Sequence, residues 1–423
     1  MNCKRIFLLS FLIITLFSSY CFASDITVQC PSVVLIHADT GKILYEKEAY
    51  KPMYPASTTK IMTAILVLEN AELTDIATVS YDAVMSVPVG YSHANLQIGE
   101  QFTIEQLLHV LLIPSANDAA NVLAEYVGGS IAEFADMMNQ KATEIGCQNT
   151  HFVNPSGIHN NDHYSTAYDL ALMGQYAMKN DTFRSIVCKT SFSLPATNQY
   201  ASDDRVFITT NDLLRINTSS KPDNYYYPYA IGIKTGFTTP ARNCLVAQSS
   251  RDGLDFIVTV LGGTQNTSGI SQRYSDTIQL FNYAYENYTI KKVKNASSLV
   301  KSIEIKDATQ STKDLNLLIK DEISVLIPKQ DIDKTILPQI TLKENLEAPI
   351  AQGEVVGHIQ YIIEDIVYES DLLAETAVEK ENILFIFLKI LLIAFLLFVI
   401  YKLIVRTKGK KSRKKKYIQY YKY

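Results

Sequence analysis

The chain has 423 residues, 43 of them acidic and 39 basic, for a formal net charge of −4. From Arg406 to the end there are nine Lys or Arg and no acidic residue, so residues 1–405 alone carry −13. An acidic bulk with its cations gathered at one end excludes nucleic acid as a partner and points those cations at anionic lipid headgroups.

The first residues read as an export signal. Lys4 and Arg5 precede an almost wholly apolar run, Ile6–Phe17, and Cys21-Phe22-Ala23 offers a cleavage site, so residues 1–23 are expected to be a signal peptide. The run is shorter than the roughly 20 residues that span a bilayer. The remaining cysteines, Cys30, Cys147, Cys188 and Cys244, lack the C-x-x-C spacing of a zinc site, and free thiols are expected.

Ser32–Ile36 and Ile43–Glu46 predict two strands around the turn Ala38-Asp39-Thr40-Gly41. Ser57–Asn70 predicts a helix, with Ile61, Ile65 and Leu68 at helical spacing. Thr103 caps a helix over Ile104–Leu112 that Pro114 stops. The next helix runs over Asp118–Val127 and ends at Gly128-Gly129. Ala230–Ile233 predicts a short strand that ends at Lys234. Cys244–Gln248 and Phe256–Leu261 predict the next two strands, and Gln272–Tyr288 a closing helix. Helices, then strands, then a helix describe a sheet covered by helices.

Beyond Asn287 the texture changes. Ser302–Ile305, Ile323–Ile327 and Val355–Tyr361 are short and rich in β-branched residues, which predicts a small β-sandwich domain over 288–368. A charged linker is expected over 369–382. Residues 383–405 are apolar apart from Lys389 and Lys402, long enough for a transmembrane helix, and both lysines lie near enough to its ends to snorkel. The basic residues 406–423 beside it mark the cytoplasmic side.

Three short motifs carry the chemistry. In Ser57-Thr58-Thr59-Lys60 the Ser and Lys are three apart, which on a helix brings their Cβ atoms to about 5–6 Å. A serine hydroxyl needs a base, and Lys is one only where burial or a neighbouring cation lowers its pKa. Ser115-Ala116-Asn117 follows Pro114 between two helices, where Ser can relay a proton and Asn can hold an amide. In Lys234-Thr235-Gly236 the Lys can bind a carboxylate and help to depress Lys60, and the Gly permits a close backbone approach. His159 and His163 have the i, i+4 spacing of a metal pair but lie in a loop without a third ligand. No metal and no cofactor are therefore expected, and His163 is read as a structural hydrogen-bonding group.

The order and spacing of these motifs are similar to the S-x-x-K, S-x-N and K-T-G set of penicillin-binding proteins and serine β-lactamases. Asp39–Leu44 followed by Pro55–Lys60, Asn154–His159, His163–Leu170 and Ala348–Gly357 extend the likeness. From about Val28 to Leu373 the chain resembles the low-molecular-mass penicillin-binding proteins that are serine-type D-alanyl-D-alanine carboxypeptidases, peptidase S11. The resemblance implies an α+β fold: a penicillin-binding/β-lactamase-like domain over 24–287, its antiparallel sheet flanked by helices, followed by a small all-β domain and a C-terminal transmembrane helix. It implies that Ser57 attacks the D-Ala–D-Ala carbonyl, Lys60 is the general base and Ser115 passes a proton to the leaving amine. Asn117 would hold the substrate amide and Lys234 and Thr235 the terminal carboxylate. The N–H groups of Ser57 and Phe237, beyond Gly236, would form the oxyanion hole. Phe237 departs from relatives with a polar residue there, and Arg273 is a further carboxylate contact to look for. The partners implied are a peptidoglycan stem peptide, β-lactam antibiotics as covalent inhibitors, and a membrane reached by the last helix and the basic tail. The alternative, a serine β-lactamase, needs a carboxylate that positions water, and no such Glu motif stands out between Ser115 and Lys234. A wall-binding protein with a dead site is disfavoured because the reactive side chains are all in place.

Overall fold

The computed structural model describes residues 26–202, 204–216 and 224–420, with side chains through residue 407. The expected signal peptide and the side chains of most of the basic tail lie outside the described residues. The described chain divides at Thr289–Ile290 into two compact units, with Pro328–Gln330 belonging to the first.

In the first unit, strands β1 (Ser32–His37) and β2 (Ile43–Lys47) form a hairpin, and a 3₁₀ turn, Ala56–Thr59, leads into α1 (Lys60–Asn70). The helical half continues with β3 (Ile76–Thr78), α2 (Tyr81–Met85), β4 (Gln101–Thr103), α3 (Ile104–Leu112), α4 (Asn117–Gly128) and α5 (Ile131–Ile145). Next come α6 (Ala167–Ala177), α7 (Asp181–Val187) and the hairpin β5 (Ser191–Leu194) with β6 (Arg205–Ile208). The strands β7 (Ala230–Thr238), β8 (Arg242–Arg251) and β9 (Leu254–Gly263) and the helix α8 (Gln272–Asn287) close the unit. Local chemistry explains the borders. Thr103 and Gln106 form a reciprocal capping box at α3. The left-handed Gly129 ends α4.

The main sheet has the order β2-β1-β9-β8-β7, antiparallel throughout. Helices cover both faces. Gly174 of α6 lies against Val246 and Ile257, while Tyr285 of α8 bonds Ser249 and packs on Phe256. Val246 and Ser249 are an odd number of residues apart on β8, so they face opposite sides. β7 is an edge strand. It does not stop at Lys234, as its apolar start suggests, but runs on to Thr238, with Phe237 paired to Asn243 and Thr238 to Arg242. The polar Lys and Thr and the Gly hide this continuation from a reading by hydrophobic alternation.

The second unit contains most of β10 (Tyr288–Lys294) and of β13 (Ile323–Pro328), and all of β11 (Leu299–Glu304), β12 (Asp314–Ile319), β14 (Gln339–Leu342), β15 (Val355–Ile363) and β16 (Ile366–Ala374). Its five-stranded sheet runs β11-β12-β16-β15-β14, and β10 pairs with β13. β16 takes up residues 369–374, which the charge of Glu369 and Asp371 suggests as linker. Ser370, Leu372 and Ala374 alternate inward there, so the strand is half-buried in spite of its acidic residues. Val378 is also buried and bridges to Ile350. The expected linker is thus mostly part of the β unit. The last helix, α9 (Ile383–Tyr420), carries a largely apolar stretch, Ile383–Thr407, of 25 residues, in which an 18-residue window has mean hydropathy 3.3 and exposed side chains. By length and composition it can cross a membrane.

Candidate active site

Ser57 sits in the 3₁₀ turn that opens α1. The preceding Ala56 has φ +48°, a left-handed conformation that lifts the turn out of the chain's path. Thr58 donates both its N–H (3.3 Å) and its hydroxyl (2.7 Å) to Pro55 O, which closes the turn. Gly157 presses on it from the Asn154–Gly157 loop: a Cβ there, at φ +79°, would stand 1.8 Å from Ala56 O. Asn154 Oδ1 accepts from the Ser156 and Gly157 N–H groups, at 3.2 and 2.7 Å, and so shapes that loop.

Lys60 is fully buried, and its Nζ has three oxygen neighbours: Asn117 Oδ1 at 2.6 Å, Ser156 O at 2.7 Å and Ser57 Oγ at 3.1 Å. The first two are pure acceptors, so they take two N–H bonds. A neutral amine has two such hydrogens and one lone pair, and the lone pair is left for the Ser57 hydroxyl. Burial holds Lys60 well below the ordinary lysine range, and the Lys234 cation pushes it lower still against a smaller opposing pull from Asp118.

Ser115 has φ +71°, and its Oγ is buried without a hydrogen-bond partner among the described residues. Asn117 begins α4. Because its Oδ1 is engaged by Lys60, its NH₂ is left to donate to a ligand carbonyl. Its own N–H donates to Ser92 O at 3.0 Å, and the buried Asp118 carboxylate accepts from the N–H groups of Ala94 and Leu96 at 2.9 and 3.1 Å. These bonds tie the 89–96 segment to the start of α4.

Lys234 is buried on β7, and burial followed by the Arg273 guanidinium lowers it to about 7. Thr235 Oγ1 bonds Thr210 Oγ1. Arg273 donates to Gly236 O at 3.4 Å and to Tyr274 Oη at 3.1 Å, and Tyr274 Oη in turn donates to Thr210 O at 3.1 Å. Two cations and two hydroxyls therefore converge at one end of the cleft, a constellation suited to a carboxylate. Gly236 has a reason beyond access for a ligand. A Cβ there would lie 2.9 Å from Pro55 O, 3.0 Å from Ser57 N and 3.1 Å from Thr58 N, so the bare backbone lets β7 lie directly against the Ser57 turn.

A cleft of about 400 Å³ is lined by Ser57, Ser115, Asn117, Thr235, Gly236 and Phe237 of the expected site residues. Lys60 and Lys234 lie buried beneath it. Arg273 lines it too, as do Thr210 and the Val89–Ser92 segment. His163 is elsewhere employed: Val153 N–H donates to its Nδ1 at 3.2 Å, so Nε2 carries the proton and donates to Thr59 Oγ1 at 2.8 Å. Among the described residues no group of three or more His, Cys, Asp or Glu is placed to hold a metal. Among the described residues the four cysteines, Cys30, Cys147, Cys188 and Cys244, are free. Sequence reading missed Thr210, which has no motif around it, and the carbonyl of Ser156, which no side chain announces. The turn signal Asn-Pro-Ser-Gly could have pointed to Gly157.

A helix-flanked antiparallel sheet with a cleft serine set against a buried lysine, and a cationic pocket beside them, defines a serine acyl-transfer enzyme of the penicillin-binding type. Comparison with known proteins agrees. A family model described as D-alanyl-D-alanine carboxypeptidase, peptidase S11, matches residues 21–265, and one for the penicillin-binding protein 5 C-terminal domain matches residues 288–380. The D-alanyl-D-alanine carboxypeptidase DacF of Bacillus subtilis is 31% identical over 339 residues, 79% of this chain and 82% of its own length. DacC of Escherichia coli is 31% identical over 364 residues, 82% of this chain and 84% of its own length. The crystal structure of the D-alanyl-D-alanine carboxypeptidase DacD from Francisella tularensis superposes with TM-score 0.59 at 26% identity, covering 85% of this chain and 95% of that one. The chain belongs to the D-alanyl-D-alanine carboxypeptidase family, peptidase S11, and is a serine-type carboxypeptidase.

Proposed function

We propose that Ser57 removes the terminal D-Ala of a peptidoglycan pentapeptide through an acyl-enzyme, with Lys60 as its base. The observation that carries this reading is the set of three oxygens around Lys60 Nζ, which leaves the lone pair of a neutral amine for Ser57 Oγ–H. The proton of Ser57 passes to Lys60 as Oγ attacks the carbonyl carbon. The N–H groups of Ser57 and Phe237 stabilise the oxyanion, aided by the positive end of α1. The C–N bond then breaks, and the proton held by Lys60 passes through Ser115 to the departing D-Ala amine, which restores both side chains. Asn117 holds the substrate amide, and Lys234 with Thr235 and Arg273 holds the carboxylate that only a C-terminal residue carries. Water next hydrolyses the ester and restores Ser57. A β-lactam, whose amide is followed by a carboxylate, acylates the same hydroxyl and is held there.

The same reading places the catalytic unit outside the cell. Residues 1–23 direct export, residues 383–405 cross the membrane once, and the basic tail stays on the cytoplasmic side. No observation favours a serine β-lactamase over this reading, and the family and the similar curated proteins are carboxypeptidases. The test is mass spectrometry of the full chain in detergent after penicillin treatment. One adduct on Ser57 is expected, and Ser57→Ala should lose both the adduct and D-Ala release. An adduct on any other residue would overturn the mechanism.

A further inference from the structure

The cleft is polar at its floor, and its exposed rim sets Val89 and Phe237 among the polar Ser92 and Thr239. Ser57, Ser115, Asn117, Thr210, Thr235 and Arg273 supply hydroxyls, an amide and a guanidinium, but Val89, Tyr91, Ile158 and Phe237 line the same space. Phe237 is 61% exposed and Val89 is fully exposed. A ring that far in solvent contributes little by packing within the protein, and because both side chains line the cleft that holds Ser57, a ligand bound there can bury them.

The direction of β7 says which part of the ligand. Lys234 and Thr235 receive the carboxylate and the Phe237 N–H faces the scissile carbonyl. A peptide along this edge therefore places its acyl-donor side at Phe237 and beyond, toward Thr238 and Thr239, which also line the cleft. Val89 reaches the same space from a segment tethered by Asp118 through Ala94 and Leu96. We propose that Phe237 and Val89 form an apolar contact for the acyl-donor side of the substrate. The site then prefers donors that put a hydrocarbon or aryl group there over donors that put a charge there. This rests on the reading of Ser57 as nucleophile and adds a specificity to it.

The experiment compares acylation of the full chain in detergent by two penicillins, one with a phenylacetyl side chain and one whose alkyl side chain ends in an ammonium and a carboxylate. The quantity read is the ratio of their second-order acylation constants, which cancels any loss common to both. Burial of an aromatic contact makes a change of about tenfold the expected size, so Phe237→Ser should lower the ratio about tenfold and Val89→Ser about twofold to threefold. Phe237→Leu, which keeps an apolar side chain, should stay within about twofold of the parent. An unchanged ratio in both serine variants overturns the proposal. So does an equal loss for both penicillins, which would mark a merely structural role. If the unsubstituted chain forms no Ser57 adduct with either probe, the nucleophile assignment fails and the specificity falls with it.

Discussion

At the scale of single residues, the buried lysines set the pH response. In the proposed mechanism Lys60 acts as a neutral amine; burial together with Lys234 lowers its pKa, so activity should fall on the acid side as Lys60 takes up a proton. Lys234 must keep its charge to hold a carboxylate, and it is lowered to about 7, so the profile of kcat/KM should also fall on the alkaline side from near that pH. A bound carboxylate favours the charged form, so the alkaline limb of kcat should lie higher than that of kcat/KM. Profiles whose alkaline limbs coincide would remove Lys234 from carboxylate binding. His163 adds a stability term. Burial lowers it from 6.5 to about 3, so the unfolded chain takes a proton that the folded one refuses. Its contribution is intact above 6.5 and is lost as the pH falls toward 3. His163→Leu should flatten that decline in denaturation experiments. It should also cost about 1–3 kcal/mol at neutral pH by leaving the Val153 N–H and the Thr59 hydroxyl without their partner. Much at this scale was legible in the chain, because Ser57, Lys60, Ser115, Asn117 and Lys234 carry their chemistry in their side chains. Ser156 was not, since what it offers Lys60 is a carbonyl that any residue could provide. Thr210 was not, since only the fold brings it to Thr235.

At the scale of elements, two glycines decide whether the site can form. Gly157 and Gly236 both press on the turn at Ala56–Ser57, one from a loop and one from β7. At Gly157 an alanine would meet the Ala56 backbone at 1.8 Å in a left-handed conformation. Gly157→Ala should therefore destabilise the chain by about 2 kcal/mol or more and slow penicillin acylation at least about tenfold. Thermal denaturation and labelling rates would check this, and a variant acylated at the parent rate would refute the close contact. A second element-scale test lies at the buried pair Glu100–Arg205 (2.7 Å), which joins the β5–β6 hairpin to the loop before β4. Glu100→Leu leaves the guanidinium in a largely buried place without its carboxylate, and about 3–5 kcal/mol should be lost. The helices at 60–70, 104–112 and 117–128 were readable from caps and periodicity. The far end of β7 was not, because cross-strand pairing with Asn243 and Arg242 overrides a sequence that reads as a turn. β16 escaped for the converse reason: its outward residues are acidic, and charge hid a half-buried strand.

At the scale of the whole molecule, the two units and the apolar helix follow the change of texture in the chain, and the overall architecture was the most legible feature of all. Strand order was not, because β1 pairs with β9 across more than two hundred residues and nothing local records that partner. The apolar helix begins at Ile383, just after the β unit makes its last bridge at Lys380. A chain ending at residue 382 should therefore retain D-Ala release and partition into the aqueous phase in detergent phase separation, where the full chain follows the detergent. Retention of the shortened chain in the detergent phase would assign anchoring to another segment. The site itself draws on distant parts of this architecture. Lys60 meets Ser156 across 96 positions and Asn117 across 57, and the Ser57 turn meets Gly236 from the edge of the sheet. Contacts so far apart in the chain close late in folding, since each must first overcome the entropy of a long loop. In the proposed mechanism, a nascent or partly unfolded chain then carries a Ser57 without its base. Covalent penicillin labelling accordingly counts fully folded molecules, and the rate at which it returns after denaturation measures the final step of folding.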